Sequence, residues 1–126
     1  DNKKLPKTIF IAEIDLDKLS EAIETAPRMK PIPEIPAIRR DLALLAPVTV
    51  AHRDIQKILV AEGGALLEDC HLFDVYQGKG IEEGHRSLAY SLSFRDPKKT
   101  LTDNEIQPLV DKMVAKLDKA YQIKLR

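Results

Sequence analysis

Asp74, Tyr76 and Ser87 are the side chains of this sequence best suited to chemistry with a ligand. Asp74 and Tyr76 stand two apart in Leu72-Phe73-Asp74-Val75-Tyr76, and Ser87 comes just after a glycine-punctuated loop running from Gln77 to His85. Alternate residues of a strand share a face, so a carboxylate and a phenol ring at this spacing point the same way. A carboxylate accepts from imino and exocyclic amino groups such as those on a guanine edge, and a serine hydroxyl donates or accepts. A tyrosine ring offers a stacking surface. Sheet-surface modules read unstacked, single-stranded bases with these groups. Other chemistries lack their parts. The chain has no Gly-x-x-x-x-Gly-Lys-Ser/Thr phosphate loop. Cys70 and His71 are adjacent while His52 and His85 are scattered, which is no metal-ligand spacing. Cys70 has no evident base partner and reads as a small buried residue. The only asparagines are Asn2 and Asn104, which leaves an acylphosphatase-like enzyme without its water-holding residue.

The elements that must position these residues are legible from periodicity. Thr8 to Asp15 alternates around Ile and Phe and predicts a strand. Leu16, Leu19 and Ile23 then fall on one helical face, with Asp15 or Asp17 as the cap. Pro27, Pro31, Pro33 and Pro36 make an extended linker. This predicts a division into residues 1–30, a strand–helix segment plus linker, and residues 31–126, a domain of its own. Within the second part Arg40 to Ala46 reads as a strand ended by Pro47. His52 to Glu62 reads as a helix with Ile55, Leu59 and Val60 on one side, stopped by Gly63-Gly64. Ala65 to Tyr76 is mostly strand, and Arg86 to Arg95 alternates cleanly. Thr102 and Glu105 form a capping box for a helix to about Ala120, with Ile106, Leu109, Val110, Met113 and Leu117 inward and a small distortion expected at Pro108. Tyr121 to Arg126 closes as a strand. The order βαββαβ predicts an α+β, ferredoxin-like sandwich: a four-stranded antiparallel sheet with two helices on one face.

The other face of that sheet is then uncovered. Leu88, Tyr90, Leu92 and Phe94 form the buried set of their strand, which leaves Ser87, Ala89, Ser91 and Ser93 outward. Phe73 and Val75 are expected in the core, and Leu72, Asp74 and Tyr76 on the open face. Leu42 and Leu44 face inward and Ala43 outward. The result is a small-residue floor that admits a planar ligand. Composition and spacing leave blander readings open: a half-buried strand-end tyrosine, a solvated aspartate, a small-residue face that packs on a neighbour.

Charge narrows the partners. The chain has 126 residues, with 20 Lys+Arg against 20 Asp+Glu and a formal net charge of zero. That excludes a polybasic binder working through a global field, so any nucleic-acid role rests on local charge and stacking. Lys98 and Lys99, and Lys112, Lys116, Lys119, Lys124 and Arg126 against Asp111 and Asp118, supply such local charge. The single Cys rules out an internal disulfide and fits a reducing compartment. No apolar run reaches the ~18–20 residues of a membrane span. A start at Asp1 rather than Met suggests a mature piece or an excised fragment.

Four segments, in order, carry a resemblance: Pro36-Ala37-Ile38-Arg39-Arg40-Asp41-Leu42-Ala43-Leu44; Leu72-Phe73-Asp74-Val75-Tyr76-Gln77-Gly78; Gly84-His85-Arg86-Ser87-Leu88-Ala89-Tyr90; and Phe94-Arg95-Asp96-Pro97-Lys98-Lys99-Thr100-Leu101-Thr102-Asp103. From about Ile32 to Arg126 the chain resembles the C-terminal ferredoxin-fold anticodon-binding domain of the phenylalanyl-tRNA synthetase beta subunit. The resemblance implies a tRNA-binding domain that clamps the anticodon stem-loop of tRNA(Phe), with Asp74, Tyr76 and Ser87 on the first anticodon base, a guanine. Arg39 or Arg40 and the Lys98-Lys99 corner are then candidates for phosphate contact. It also implies a cytoplasmic parent enzyme that joins phenylalanine to tRNA(Phe) with ATP and magnesium, as an (αβ)2 heterotetramer of two alpha and two beta subunits. Catalysis, ATP and magnesium would lie outside this fragment. Two other classes compete: a structural packing domain, and a ferredoxin-like small-molecule regulatory module. The module would need a glycine in the turn after the first strand, where the sequence reads Pro47-Val48-Thr49-Val50-Ala51.

Overall fold

The computed structural model describes residues 9–23, 29 and 32–126. It divides into two units, Asp1–Ile32 and Pro33–Arg126. In the first, helix α1 (Leu16–Ala22) is capped by the Asp15 carboxylate, which accepts from the backbone N–H groups of Asp17 and Lys18. Leu16, Leu19 and Ile23 are all exposed. The expected strand before the helix is not formed at residues 9–15, and Thr8 lies outside the described residues. Alternation only offers a strand; a neighbouring strand must supply the ladder, and the described residues of this unit contain none. Of the linker prolines, Pro27 and Pro31 also lie outside the described residues.

The second unit holds β1 (Ile38–Pro47), α2 (His52–Gly63), a 3₁₀ turn (Gly64–Leu66), β2 (Leu67–Tyr76), β3 (His85–Phe94), α3 (Asp103–Tyr121) and β4 (Lys124–Leu125). The sheet order is β2-β3-β1-β4, and every neighbouring pair is antiparallel. Two interleaved crossovers, β1-α2-β2 around β3 and β3-α3-β4 around β1, make this the expected ferredoxin-like sandwich. Both helices pack on one face. Ile55 and Leu59 of α2 and Ile106, Met113 and Leu117 of α3 meet Leu42, Leu44, Leu88, Tyr90, Leu92 and Phe94 in a single core. Val60, expected beside Ile55 and Leu59, is exposed instead. It is one residue on from Leu59, about 100° around the helix and off the inward stripe.

Gly64 ends α2 at φ 56°, a conformation that side chains disfavour. At α3 the capping box is present, with Thr102 and Glu105 exchanging hydrogen bonds. The helix runs unbroken through Pro108, and the proline costs it one backbone donor. The last strand is shorter than expected, because Tyr121 still belongs to α3 and only Lys124 and Leu125 pair with β1.

One polar link ties the helix layer to the sheet and another ties the two helices together. The Tyr90 hydroxyl and His52 Nδ1 lie 2.9 Å apart. Burial pushes the Tyr90 phenol up to about 12. The nearly buried Glu62 of α2 takes Lys112 Nζ at 3.1 Å and the ammonium of Lys116, both from α3. These lysines hold its carboxyl below the usual carboxylate range.

Candidate nucleic-acid interface

The open face is a grid set by register. Across β2, β3 and β1 its rows are Asp69-Ser93-Arg39, His71-Ser91-Asp41, Asp74-Ala89-Ala43 and Tyr76-Ser87-Leu45. The middle residue of each row comes from β3, whose even-numbered set fills the core, so all four rows turn away from the helices. Asp74, Tyr76 and Ser87 therefore gather in two adjacent rows, with Ala43 and Ala89 as the floor between them. The floor is small because β1 and β3 each place an alanine at this level.

One strand departs from simple alternation. The β2–β3 register shifts between Leu72 and Asp74. A bulge of this kind gives one strand an extra residue and re-aims the side chains beyond it. Leu72, expected on the open face, packs against the core. Phe73, expected in the core, is 54% exposed, with its ring edge-on to His71 at 6.4 Å between centroids. Val75, also expected in the core, is aligned with the inward Leu88 yet is 53% exposed. Asp74 and Tyr76 are on the open face because the bulge restores the phase that the first half of the strand would have denied them.

Tyr76 is held from two sides. Its hydroxyl donates to the Lys79 carbonyl oxygen at 3.1 Å. Gly78 leaves the room for this, since a Cβ there would stand 3.1 Å from the same hydroxyl. Over the ring, 5.6 Å from its centroid, lies the guanidinium of Arg126. Arg126 comes from the far side of the sheet, where its backbone N–H donates to the Ala43 carbonyl oxygen at 3.0 Å. Arginine and tyrosine thus reach toward each other across the alanine floor. Ser87, between Tyr76 and Leu45 in register, is only 5% exposed. It belongs to the open face by direction but lies at the bottom of it. The sequence pointed to Arg126 only as part of a local basic cluster, not as a member of this site. Its place depends on β4 pairing on the outside of β1, which periodicity cannot reveal.

The remaining candidate cations are dispersed. Arg39 is on the open face, aligned with Ser93. That is about 20 Å along the strand from Ser87. Arg40 is not on this face: it aligns with the inward Leu92, and its guanidinium meets Asp103 at 2.9 Å. Strand parity decides this, because neighbours Arg39 and Arg40 must point oppositely. Lys99 is tied to Glu105, and the backbone N–H of Lys98 donates to Asp96 Oδ1 at 2.8 Å. Both lysines sit in the β3–α3 loop, at the end of the sheet away from Tyr76.

Residues 33–126 match the family model of the ferredoxin-fold anticodon binding domain. The chain belongs to this family. As a ferredoxin-fold anticodon-binding domain it has the fold expected of it, and its similarities run beyond the domain itself. It is 41% identical over 126 residues to the phenylalanine–tRNA ligase beta subunit of Clostridium tetani and 33% identical over 126 residues to that of Clostridium acetobutylicum, covering all of this chain and 16% of each relative. It is 40% identical over 118 residues to the beta subunit of Lactobacillus johnsonii, covering 94% of this chain and 15% of the relative. The chain thus spans about one sixth of the length of the curated relatives it matches. Among the described residues, no helix is long and apolar enough to cross a membrane.

Proposed function

We propose that this domain holds the anticodon loop of tRNA(Phe) for a phenylalanine–tRNA ligase beta subunit. The observation that carries the reading is the convergence of Asp74, Tyr76 and Ser87 over an alanine floor, on the helix-free face of a domain from an anticodon-binding family. The ring of Tyr76 stacks on the first anticodon base. The Asp74 carboxylate accepts the two N–H donors of a guanine edge, and the Ser87 hydroxyl completes the set. Adenine presents no such donor pair there, so the site favours guanine. Arg39 and Lys98 are the candidates for phosphate, with Lys99 released from Glu105 as needed; Arg40 is committed to Asp103.

The parent enzyme in this reading is cytoplasmic, pairs two beta with two alpha subunits, and joins phenylalanine to tRNA(Phe) with ATP and magnesium, which act in other parts of that enzyme. Residues 1–30 are the end of its preceding domain, a role that suits the exposed apolar side of α1. The test is titration of the chain with a synthetic anticodon stem-loop carrying guanine or adenine at the first anticodon position. Preference for guanine that disappears in Asp74→Asn supports the reading; equal binding of both loops by the unsubstituted chain overturns it.

A further inference from the structure

The open face has a second concavity that the Tyr76 site does not use. A cavity of about 290 Å³ lies at the other end of the grid, lined by Arg39, Asp69, His71, Ser91, Ser93 and Arg95 among others. That is at the lower end of small-ligand sites. Its charges are largely spent within the protein. Arg95 Nε donates to both Glu68 carboxylate oxygens at 3.0 Å, and its terminal nitrogen to the Ile35 carbonyl. His71 Nδ1 lies 3.1 Å from Asp69 Oδ2. Arginines 39 and 95 stand against Glu68 and Asp69, so the lining is balanced in charge. What remains is a set of mixed donors and acceptors, the hydroxyls of Ser91 and Ser93 and the exposed Arg39, beside two exposed rings, His71 and Phe73. Neutral, planar, with donors and acceptors on its edge: that description fits a nucleobase.

Position gives the second argument. The His71-Ser91 row is next to the Asp74-Ala89 row, a separation of about 7 Å along β3. Unstacked bases of a single-stranded loop are splayed out onto such neighbouring positions of a sheet surface. Phe73 is the extra residue of the β2 bulge and stands exposed between the two rows.

We infer that this cavity, with the Phe73 ring beside its His71, takes a second unpaired nucleobase, a neighbour in the strand of the base held on Tyr76. The inference rests on the Tyr76 reading above and adds to it a second base and the residues that hold it. His71 and Phe73 supply ring contact, Ser91 and Ser93 the edge contacts, and Arg39 closes the outer side.

The test places 2-aminopurine, in separate stem-loops, at each of the two loop positions flanking the first anticodon base. Its fluorescence and affinity are followed on titration with the 126-residue chain and its Phe73→Leu, His71→Ala and Tyr76→Ala variants. Phe73 and His71 are exposed, and Phe73→Leu keeps apolar bulk while removing the ring. One flanking position is expected to quench on binding, to lose that quenching in Phe73→Leu and His71→Ala, and to bind these variants about tenfold more weakly. If the loops bind in a Tyr76-dependent way and neither flanking position responds to Phe73→Leu or His71→Ala, this inference fails and the Tyr76 reading stands. If the unsubstituted chain binds no loop, or Tyr76→Ala changes nothing, the Tyr76 reading fails and takes this one with it.

Discussion

Stacking and edge recognition separate at single residues. Every base has a π face, so Tyr76→Ala should weaken binding of any anticodon loop, by about 1–3 kcal/mol. Asp74→Asn should act on the preference for guanine instead, since hydrogen bonds to a charged group contribute about 1.5–3 kcal/mol. Titrating guanine- and adenine-bearing loops against both variants checks this: a selectivity loss in Tyr76→Ala with none in Asp74→Asn would reverse the assignment. The bulge changes what is expected of Phe73. A buried phenylalanine in this place would cost about 3–5 kcal/mol on truncation. With its ring half exposed, Phe73→Ala should cost under about 1 kcal/mol of stability, whereas Leu92→Ala, fully buried on β3, should cost about 2–5 kcal/mol. Denaturant midpoints of the two variants decide the matter, and comparable losses would mean that Phe73 turns inward in solution.

Among the elements, α3 carries a pH dependence at its start. The Lys99 ammonium, then the backbone N–H and hydroxyl of Thr102, hold the Glu105 carboxyl at about 2, against an ordinary 4.5. A carboxyl depressed by folding contributes stability that is complete above its ordinary value and is lost as pH falls through its folded value. Glu62, lowered by Lys116 and Lys112, acts in the same sense between α2 and α3. Urea midpoints taken from about pH 6 down to about pH 2 should therefore show Glu105→Gln less stable than the unsubstituted chain at the upper end, with the gap closing toward the lower. A gap independent of pH would remove the charged capping box from the account. The elements also differ in how far a sequence reveals them. β3 was legible because both its faces are uniform, apolar one way and small the other, over the eight residues Ser87–Phe94. The α3 cap was legible because it is local, two side chains three residues apart. β2 was not, because a bulge is a property of two strands in register and its own residues do not announce it. The candidate trio was therefore correctly aimed for an incomplete reason: Asp74 and Tyr76 kept the assumed phase, Leu72 and Phe73 broke it. Arg126 read only as local charge for the related reason that its partner ring lies on the opposite edge strand, three strands from β4.

At the scale of the whole molecule, charge and domain structure give two expectations. With zero net charge, RNA affinity should depend only shallowly on salt, a few phosphate contacts each adding about 0.7 to the slope of log K against log salt. Arg39→Ala should lower that slope by about 0.7. Arg40→Ala should leave the slope alone and cost at most about 1 kcal/mol of stability, as a partly exposed ion pair with Asp103 does. Equal slopes for Arg39→Ala and the unsubstituted chain would move the phosphate contact elsewhere. Among the described residues the buried core runs from Leu42 to Ile123, with Ile38 packed against it, so a chain beginning at Pro33 should unfold in one cooperative transition with its midpoint little changed. A broadened or early transition would show that residues before Pro33 contribute to this core.

The irregular β2 strand has a bearing on solubility as well. It is an outermost strand of ten residues with exposed Phe73 and Val75, and a long, flat, apolar margin of that kind templates pairing between molecules. Two register breaks, at Leu67/Asp69 and at Leu72/Asp74, interrupt it, and Glu68, Asp69 and Asp74 add charge along it. A second molecule cannot lay a regular ladder against such a margin for more than a few residues. The extra residue thus also guards the domain against self-association: shortening β2 by one residue at Phe73 would leave Asp74 opposite Ala89 and Tyr76 opposite Ser87, yet give the strand a regular outer ladder that templates aggregation.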